Sequence, residues 1–151
     1  MSYLIDTNVL LRIAQPTHSM YQTATDAVAA LRSRGEEIVL VAQILYEFWV
    51  VATRPLADNG LGLTVAETTA EIQKIRGLFQ VHPDSAAILP QWEMLVTTLG
   101  VMGKNSHDAR LVAAMQVHHI THLLTFNDKD FARFAGIIVQ TPALILMAPT
   151  S

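Results

Sequence analysis

The sequence predicts a three-layer α/β/α sandwich around a central parallel sheet of four to five strands. Short segments rich in β-branched residues, apolar on both faces, alternate with longer segments of helical periodicity. This alternation is typical of a buried parallel sheet that helices cover on both faces. No internal repeat and no linker rich in Pro, Gly or Ser interrupts the chain, so residues 1–151 are expected to form a single domain.

The composition excludes several classes of protein. Hydrophobic residues make up 51% of the chain, charged residues 15%, the formal net charge is −3, and cysteine is absent. These values exclude a disulfide scaffold and a disordered chain, and the low charged fraction favours an apolar surface that a second subunit covers. The sequence contains neither a membrane-length apolar run nor a leader-like N-terminus. A cytoplasmic protein with no membrane contact is therefore expected.

The first half of the chain is expected to hold two units of strand and helix. A buried strand leads into a helix that Pro16 ends, and Gly35 provides the C-terminal cap of the next helix. A second β-branched strand then runs directly into a helix that ends at Arg54-Pro55. The predicted strands are residues 3–5 and 38–41, and the predicted helices are residues 9–13, 18–34 and 42–53.

The second half continues the alternation. After a turn-rich loop, Thr64 and Glu67 form a capping box, and Ser106 is expected to cap a later helix. The apolar tail at 143–148 is interpreted as core or strand, with a subunit interface as the alternative. The predicted helices are residues 64–78, 84–99 and 106–117 with a helical turn at 126–134, and the predicted strands are residues 79–81, 121–125 and 137–139.

Four acidic residues are expected to meet at one edge of this sheet. Asp6 and Asp128 follow predicted strands, Asp108 lies in the first turn of a helix, and Glu47 lies within an apolar helix. Taken singly, each has a simpler role as a helix cap, a first-turn acid, a turn residue or a solvated charge. Because ligands of open parallel sheets bind at the carboxyl ends of the strands, their joint occurrence there favours a functional site.

The same four carboxylates predict a metal site. Clustered carboxylates raise one another's pKa unless a cation neutralises them, and oxygen ligands favour Mg²⁺ or Mn²⁺. The expected chemistry is metal-assisted hydrolysis of a phosphodiester, in which the ion polarises a phosphoryl oxygen and activates water. A zinc site at His118 and His122 is not favoured, because the segment between them crosses a boundary from helix to strand.

Four segments resemble, in order, those of PIN domains, and the chain is similar in length to the VapC-like toxins. The segments are Asp6-Thr7-Asn8, Glu47, Ser106-His107-Asp108 and residues 124–131. The resemblance implies an Mg²⁺- or Mn²⁺-dependent endoribonuclease, the toxin of a toxin–antitoxin pair, whose products carry a 5′-phosphate and a 3′-hydroxyl. It also implies an RNA substrate, a small antitoxin protein as partner, and a homodimer.

The resemblance extends to individual site positions. Asp6, Glu47 and Asp108 match three acidic positions of the family. At the fourth position many members carry Thr-x-Asp, whereas this chain has Thr125-Phe126-Asn127. Asp128 is our first choice for this position, and Asn127 and Asp130 are the alternatives.

Other functions are weighed against the nuclease. A displaced fourth acid also suits a PIN-fold module that docks RNA or protein without turnover. A phosphatase that forms an aspartyl-phosphate on Asp6 is disfavoured, because Asn8 stands where its second acid is required. Five basic residues are better interpreted as scattered surface charges than as an RNA path. They are Arg12, Lys104, Arg110, Lys129 and Arg133.

Overall fold

A single sheet of five parallel strands forms the centre of the molecule in the computed structural model, which describes residues 1–148. The strands are β1 (Ser2–Ile5), β2 (Glu37–Val41), β3 (Gln80–His82), β4 (His122–Leu124) and β5 (Ile138–Gln140). Their order across the sheet is β3-β2-β1-β4-β5, and every neighbouring pair is parallel. This arrangement confirms the predicted parallel sheet.

The three central strands, β2, β1 and β4, form the buried apolar centre of the sheet. Leu4 of β1 lies opposite Val39 of β2 on one side and opposite Leu123 of β4 on the other. All three side chains are buried in one continuous apolar cluster, whereas the edge strands β3 and β5 are only partly buried. Burial on both faces explains why the central strands read as unbroken apolar runs in the sequence.

Seven helices flank the sheet among residues 1–148. The chain moves in one direction across the sheet from β1 to β3 and in the opposite direction from β4 to β5. Because parallel crossovers are right-handed, this reversal places the first four helices on one face and the next two on the other. The helices are α1 (Thr7–Ile13), α2 (Tyr21–Ser33), α3 (Ala42–Thr53), α4 (Val65–Leu78), α5 (Ile88–Leu99), α6 (Asn105–Val117) and α7 (Pro142–Met147).

The contacts between helices agree with this layering. On one face α1 packs against α2 and α3, and α3 packs against α4; on the other face α5 packs against α6. The last helix, α7, returns to pack against α2. The structure therefore confirms the predicted α/β/α sandwich.

The reversal of direction creates a crevice between β1 and β4. Connections leave these two neighbouring strands toward opposite faces of the sheet, so their carboxyl ends are not covered by a crossover. Asp6 follows β1 at this point, and its backbone N–H donates to the carbonyl of Leu124 at 3.0 Å. The crevice is where the predicted site residues are expected to lie.

The N-terminus of α6 differs from the prediction. Ser106 is not the cap, because α6 begins at Asn105 and the residue before it, Lys104, makes no capping side-chain bond. The chain already turns at Gly103, whose φ is +60°, and the carbonyl of Gly103 accepts from the N–H of Ser106. Glycine tolerates this left-handed backbone, so the helix starts two residues earlier than a Ser106 cap would place it.

The C-terminal tail is a helix and not a strand, while the alternative prediction of core residues holds for Ile145. Residues 142–147 form α7, in which Thr141 is the N-cap and Pro142 occupies the first turn. The Thr141 hydroxyl accepts from the N–H of Leu144 at 3.2 Å. Ile145 is buried, and Arg34, which follows the last residue of α2, donates to the Ile145 carbonyl at 2.9 Å and connects the two helices. Threonine followed by proline is a helix-start signal that the interpretation of the tail overlooked.

Within residues 1–148, none of the helices combines the length and the apolar character needed to cross a bilayer.

Candidate functional site

Asp6 lies where β1 meets α1 and is both the N-cap of that helix and a buried carboxylate. Its Oδ1 accepts from the N–H of Thr7 at 2.7 Å, and its Oδ2 accepts from the hydroxyl of Thr125 at 2.8 Å. Only 8% of the residue is exposed. The simple capping role and the crevice-facing role therefore apply to the same side chain.

Burial raises the pKa of Asp6 to about 6. Loss of hydration is the largest cause, the hydrogen bonds from Thr125 and Thr7 act in the opposite direction, and the negative charges of Glu47 and Asp108 raise the pKa further. These two acids come from α3 and α6, far from Asp6 in sequence. Their effect on one carboxyl indicates that three of the four predicted acids lie around the same crevice.

Glu47 is held by hydrogen bonds at both carboxylate oxygens. The hydroxyl of Thr7 donates to Oε2 at 2.7 Å, and Nε2 of Gln43 donates to Oε1 at 2.7 Å. Gln43 lies one turn earlier on α3 and is only 5% exposed. Glu47 is thus fixed between its own helix and the start of α1.

Gln43 in turn connects α3 to α6. Its Nε2 also donates to the carbonyl of His107 at 2.9 Å, and its Oε1 accepts from Nη1 of Arg110 at 2.8 Å. The same guanidinium pairs with Asp84 at 3.1 Å. Because His107 precedes Asp108, this network sets the position of the α6 backbone that carries the third acid.

The pKa of Asp108 is also raised to about 6. Loss of hydration contributes most, followed by the negative charges of Asp130 and Glu47, while His107 and Arg133 act in the opposite direction. Asp130 belongs to a short 3-10 turn, Asp128–Phe131, which follows β4. The structure therefore brings the charge of Asp130 to bear on Asp108, and Asp128 is not among the groups that shift either Asp6 or Asp108.

Three polar residues that sequence reasoning did not select support the crevice. Besides bonding Asp6, the Thr125 hydroxyl accepts from Asn8 Nδ2 and from the N–H of Asn127, both at 3.1 Å. Asn8 Oδ1 accepts from the N–H of Phe126 at 3.1 Å. These bonds join the start of α1 to the segment after β4. The sequence motifs contain Thr7, Asn8 and Thr125, but these residues were not predicted to belong to the site. The signal that could have identified them is their position directly after the strands β1 and β4.

The donor set suits a hard divalent ion that keeps part of its water shell. In the part of the chain that the structure describes, no three Asp, Glu, His or Cys side chains stand close enough together to surround one ion as arranged. Mg²⁺ is usually bound through one or two carboxylates plus several waters, so it does not require such a cage. Asp6, Glu47 and Asp108 supply only oxygen donors, and a bound cation would offset the repulsion that adds to the effect of burial on the pKa values of Asp6 and Asp108.

The two histidines considered for zinc have separate partners. His118 ends α6, where its Nε2 lies 3.0 Å from the carbonyl of Pro83 and its ring stacks on His82. His122 is buried in β4, with its Nδ1 2.7 Å from the hydroxyl of Thr121. Burial lowers the pKa of His122, which favours its neutral form.

Comparison with known proteins gives a family match and a set of similar structures. The family model described as PIN domain matches residues 3–137. VapBC2 from Rickettsia felis, solved with a DNA fragment from its promoter, is 16% identical with a TM-score of 0.69, covering 93% of this chain and 98% of that chain. A toxin–antitoxin complex from Klebsiella pneumoniae is 23% identical with a TM-score of 0.61, covering 93% and 97%.

A third similar structure is VapC20 from Mycobacterium tuberculosis, described as a Sarcin-Ricin loop cleaving toxin. It is 19% identical with a TM-score of 0.66, covering 90% of this chain and 96% of that chain. At these identities the likeness establishes the fold. A search of curated protein sequences gives no match. The family match spans most of the sequence, and the chain therefore belongs to the PIN domain family.

Proposed function

We propose that this chain is a metal-dependent endoribonuclease that hydrolyses phosphodiester bonds of RNA. The main support is electrostatic: the charges of Glu47 and Asp108 act on the buried carboxyl of Asp6 at the uncovered end of the sheet. A fold gains little from placing two acids where their charges raise the pKa of a third, buried carboxyl, so this arrangement favours a functional explanation. VapC20, which has a similar fold, is described as a Sarcin-Ricin loop cleaving toxin, which supports RNA as the substrate class proposed for this chain.

In this proposal Asp6, Glu47 and Asp108 would hold Mg²⁺ or Mn²⁺ through their carboxylate oxygens. When bound, the ion would supply a Lewis acid for a phosphoryl oxygen and would lower the pKa of the water that serves as the nucleophile. Asp130 is the preferred fourth acid, because its negative charge raises the pKa of Asp108 more than that of any other carboxylate. Asp128, the first choice from the sequence, becomes the alternative.

The proposed biological role is that of a toxin neutralised by a cognate antitoxin protein in the cytoplasm. Its support is the similarity to the Klebsiella pneumoniae toxin–antitoxin complex. A homodimer is proposed because large apolar side chains remain exposed on the described surface, among them Met94, Leu99 and Met102. Co-expression with a small protein encoded beside this one, followed by co-purification, tests the partner.

Cleavage of a mixed pool of structured RNAs tests the enzymatic function. The purified chain is first treated with EDTA and then incubated with Mg²⁺, Mn²⁺ or EDTA alone. Asp6→Asn and Asp108→Asn are each expected to lower cleavage at least about a hundredfold, a loss of roughly 3 kcal/mol in transition-state stabilisation. Asp58→Asn, an exposed acid in the loop after α3, is the matched control and should cleave like the parent.

The same assay compares the two candidates for the fourth acid. We expect Asp130→Asn to lose cleavage and Asp128→Asn to retain it. The reverse pattern would restore Asp128 to the site. Folded, partner-free protein that cleaves no RNA with either metal would contradict the nuclease and favour the docking module.

A further inference from the structure

A cavity beside the carboxylates is not used by the proposed hydrolysis. It has a volume of about 410 Å³ and lies between the N-terminal halves of α5 and α6. Ile88, Leu89 and Trp92 of α5 form its apolar side, and Ser106, His107 and Arg110 of α6 form its polar side. This combination of an aromatic wall with convergent polar groups is typical of a ligand pocket.

The polar side of this cavity is linked to the acid site through Gln43. The carbonyl of His107 and the guanidinium of Arg110 both bond to Gln43, which holds Glu47. Asp108 lies on the same helical turn of α6 as the lining residues His107 and Arg110. A phosphate bound at the acids would therefore place a neighbouring nucleotide close to the cavity.

The aromatic wall is held in place. Nε1 of Trp92 donates to the carbonyl of Ser106 at 2.8 Å, so the indole of α5 is fastened to the first turn of α6. Leu89, one turn earlier on α5, also lines the cavity. It is 59% exposed, so its side chain is available for apolar contact with a ligand. An indole satisfied at its only polar atom offers the rest of its surface for apolar or stacking contact.

We propose that this cavity, hereafter the α5–α6 pocket, binds one unstacked base of a single-stranded RNA segment next to the bond that is cut. Proteins recognise single-stranded RNA by stacking its bases on aromatic rings and on the planes of arginine side chains, and Trp92 and Arg110 supply both groups. The positive charge of Arg110 also offsets the repulsion between the acids and the RNA phosphates. The inference rests on the proposed nuclease function and adds the subsite that would select the base.

Fluorescence of Trp92 provides a direct test. The chain contains two tryptophans, and Trp49→Phe leaves Trp92 as the only indole. Asp6→Asn is added so that the RNA remains intact, and single-stranded oligonucleotides of A or of U are titrated in the presence of Mg²⁺. RNA of the same length without bases at its central positions is the control ligand. We expect the intact RNA to quench Trp92 and the abasic RNA to leave it unchanged.

Two substitutions on the non-cleaving background measure the contribution of the pocket to affinity. Trp92→Leu should weaken the binding of intact RNA by about 5- to 150-fold, the range that corresponds to one base stacked on an aromatic ring. Leu89→Glu places a negative charge at an exposed position of the pocket and should weaken binding without disturbing the bond between Trp92 and Ser106. Leu144→Glu, at a similarly exposed leucine on α7, is the matched control.

The outcomes separate this proposal from the nuclease function. Equal quenching by intact and abasic RNA, or unchanged affinity in both Trp92→Leu and Leu89→Glu, would overturn the pocket even if the parent chain cleaves RNA. If RNA quenches Trp92 only when its bases are present, but the parent chain cleaves no RNA, the pocket is supported and the nuclease function is contradicted. Quenching by a co-expressed antitoxin but by no RNA would also overturn the base subsite.

Discussion

Asp6 is the residue at which stability and the proposed function conflict most directly. Its two oxygens are hydrogen-bonded, yet loss of hydration and two neighbouring acids still raise its pKa to about 6. In the unfolded chain the usual value of 3.8 applies. The folded protein therefore binds more protons than the unfolded chain between these two values, and its free energy of unfolding falls as the pH rises through this interval.

Asp6→Asn is expected to remove this pH dependence. In EDTA, the difference in unfolding free energy between variant and parent should grow in favour of the variant by roughly 2 kcal/mol from about pH 4 to about pH 7. Urea denaturation across this range measures the difference. Asp58→Asn should show no such trend, because Asp58 is exposed. A variant that loses stability relative to the parent as the pH rises would contradict the raised pKa of Asp6.

Gln43 presents the opposite case, a buried polar residue that stabilises the fold. It donates to Glu47 and to the carbonyl of His107, and it accepts from Arg110. Gln43→Leu leaves these partners unpaired and should cost roughly 1–3 kcal/mol of unfolding free energy, measured by urea denaturation. Gln22→Leu, at an exposed glutamine of α2, should change stability by less than about 0.5 kcal/mol. Equal effects of the two substitutions would contradict the structural role of Gln43.

At the scale of elements, local signals predicted most of the fold. The strands were recognisable because burial on both faces leaves little choice but β-branched and other apolar residues, as in β2. The predicted capping box of Thr64 and Glu67 is present in full at the start of α4. Gly35, with φ of +76°, follows the end of α2 as expected for a C-terminal cap.

The start of α6 and the secondary structure of the C-terminal tail were predicted incorrectly, because nearby residues give conflicting signals. Ser106 is a good capping residue, but the turn at Gly103 begins α6 before it. The tail is apolar enough for a strand, yet Thr141 and Pro142 start a helix whose carbonyls Arg34, directly after α2, can reach. The second outcome depends on a contact between residues more than a hundred positions apart, which no local pattern contains.

Two glycines, one in the loop between α3 and α4 and one in α4, differ in the space available for a side chain. A Cβ at Gly60, in the loop between these helices, would lie 2.0 Å from the carbonyl oxygen of Arg54, whereas a Cβ at Gly77 of α4 would meet nothing within 4 Å. Gly60→Ala should therefore destabilise the protein by more than about 1 kcal/mol, because backbone must move. Gly77→Ala should stabilise it by up to about 1 kcal/mol, because alanine favours the helix.

Thermal unfolding of the two variants beside the parent measures both effects. Opposite signs for Gly60→Ala and Gly77→Ala are expected. If Gly60→Ala unfolds at the temperature of the parent, the close approach of the loop to Arg54 is wrong.

At the scale of the whole molecule, topology explains which part of the candidate site was predictable. Asp6 follows a strand, and the strand order brings the ends of β1 and β4 together, so a carboxylate at that edge could be inferred from sequence. The choice between Asp128 and Asp130 could not be inferred from sequence, because it depends on how a 3-10 turn orients residues two positions apart. The hydrogen bonds between Gln43 and α6 could not be inferred either, because they require α3 and α6 to be neighbours in the folded protein.

The same topology predicts that a divalent ion stabilises the folded chain. The proposed ligands Asp6, Glu47 and Asp108 come from three elements that separate on unfolding, so an ion that binds them favours the folded state alone. At a concentration one hundred times its Kd, Mn²⁺ should add about 2.7 kcal/mol, or roughly 5–10 °C in Tm. Thermal unfolding at about pH 7.5 with Mn²⁺ or EDTA measures the shift, with no need for RNA.

The variants decide whether this stabilisation belongs to the acid site. Asp108→Asn should lose most of the shift, whereas Glu93→Gln, at an exposed acid of α5, should keep it. Lowering the pH to about 5 should also diminish the shift, because Asp6 and Asp108, each with a pKa of about 6, are then protonated. An equal shift in the parent and in Asp108→Asn would mean that the ion binds elsewhere, and the three carboxylates would then need an explanation other than metal binding.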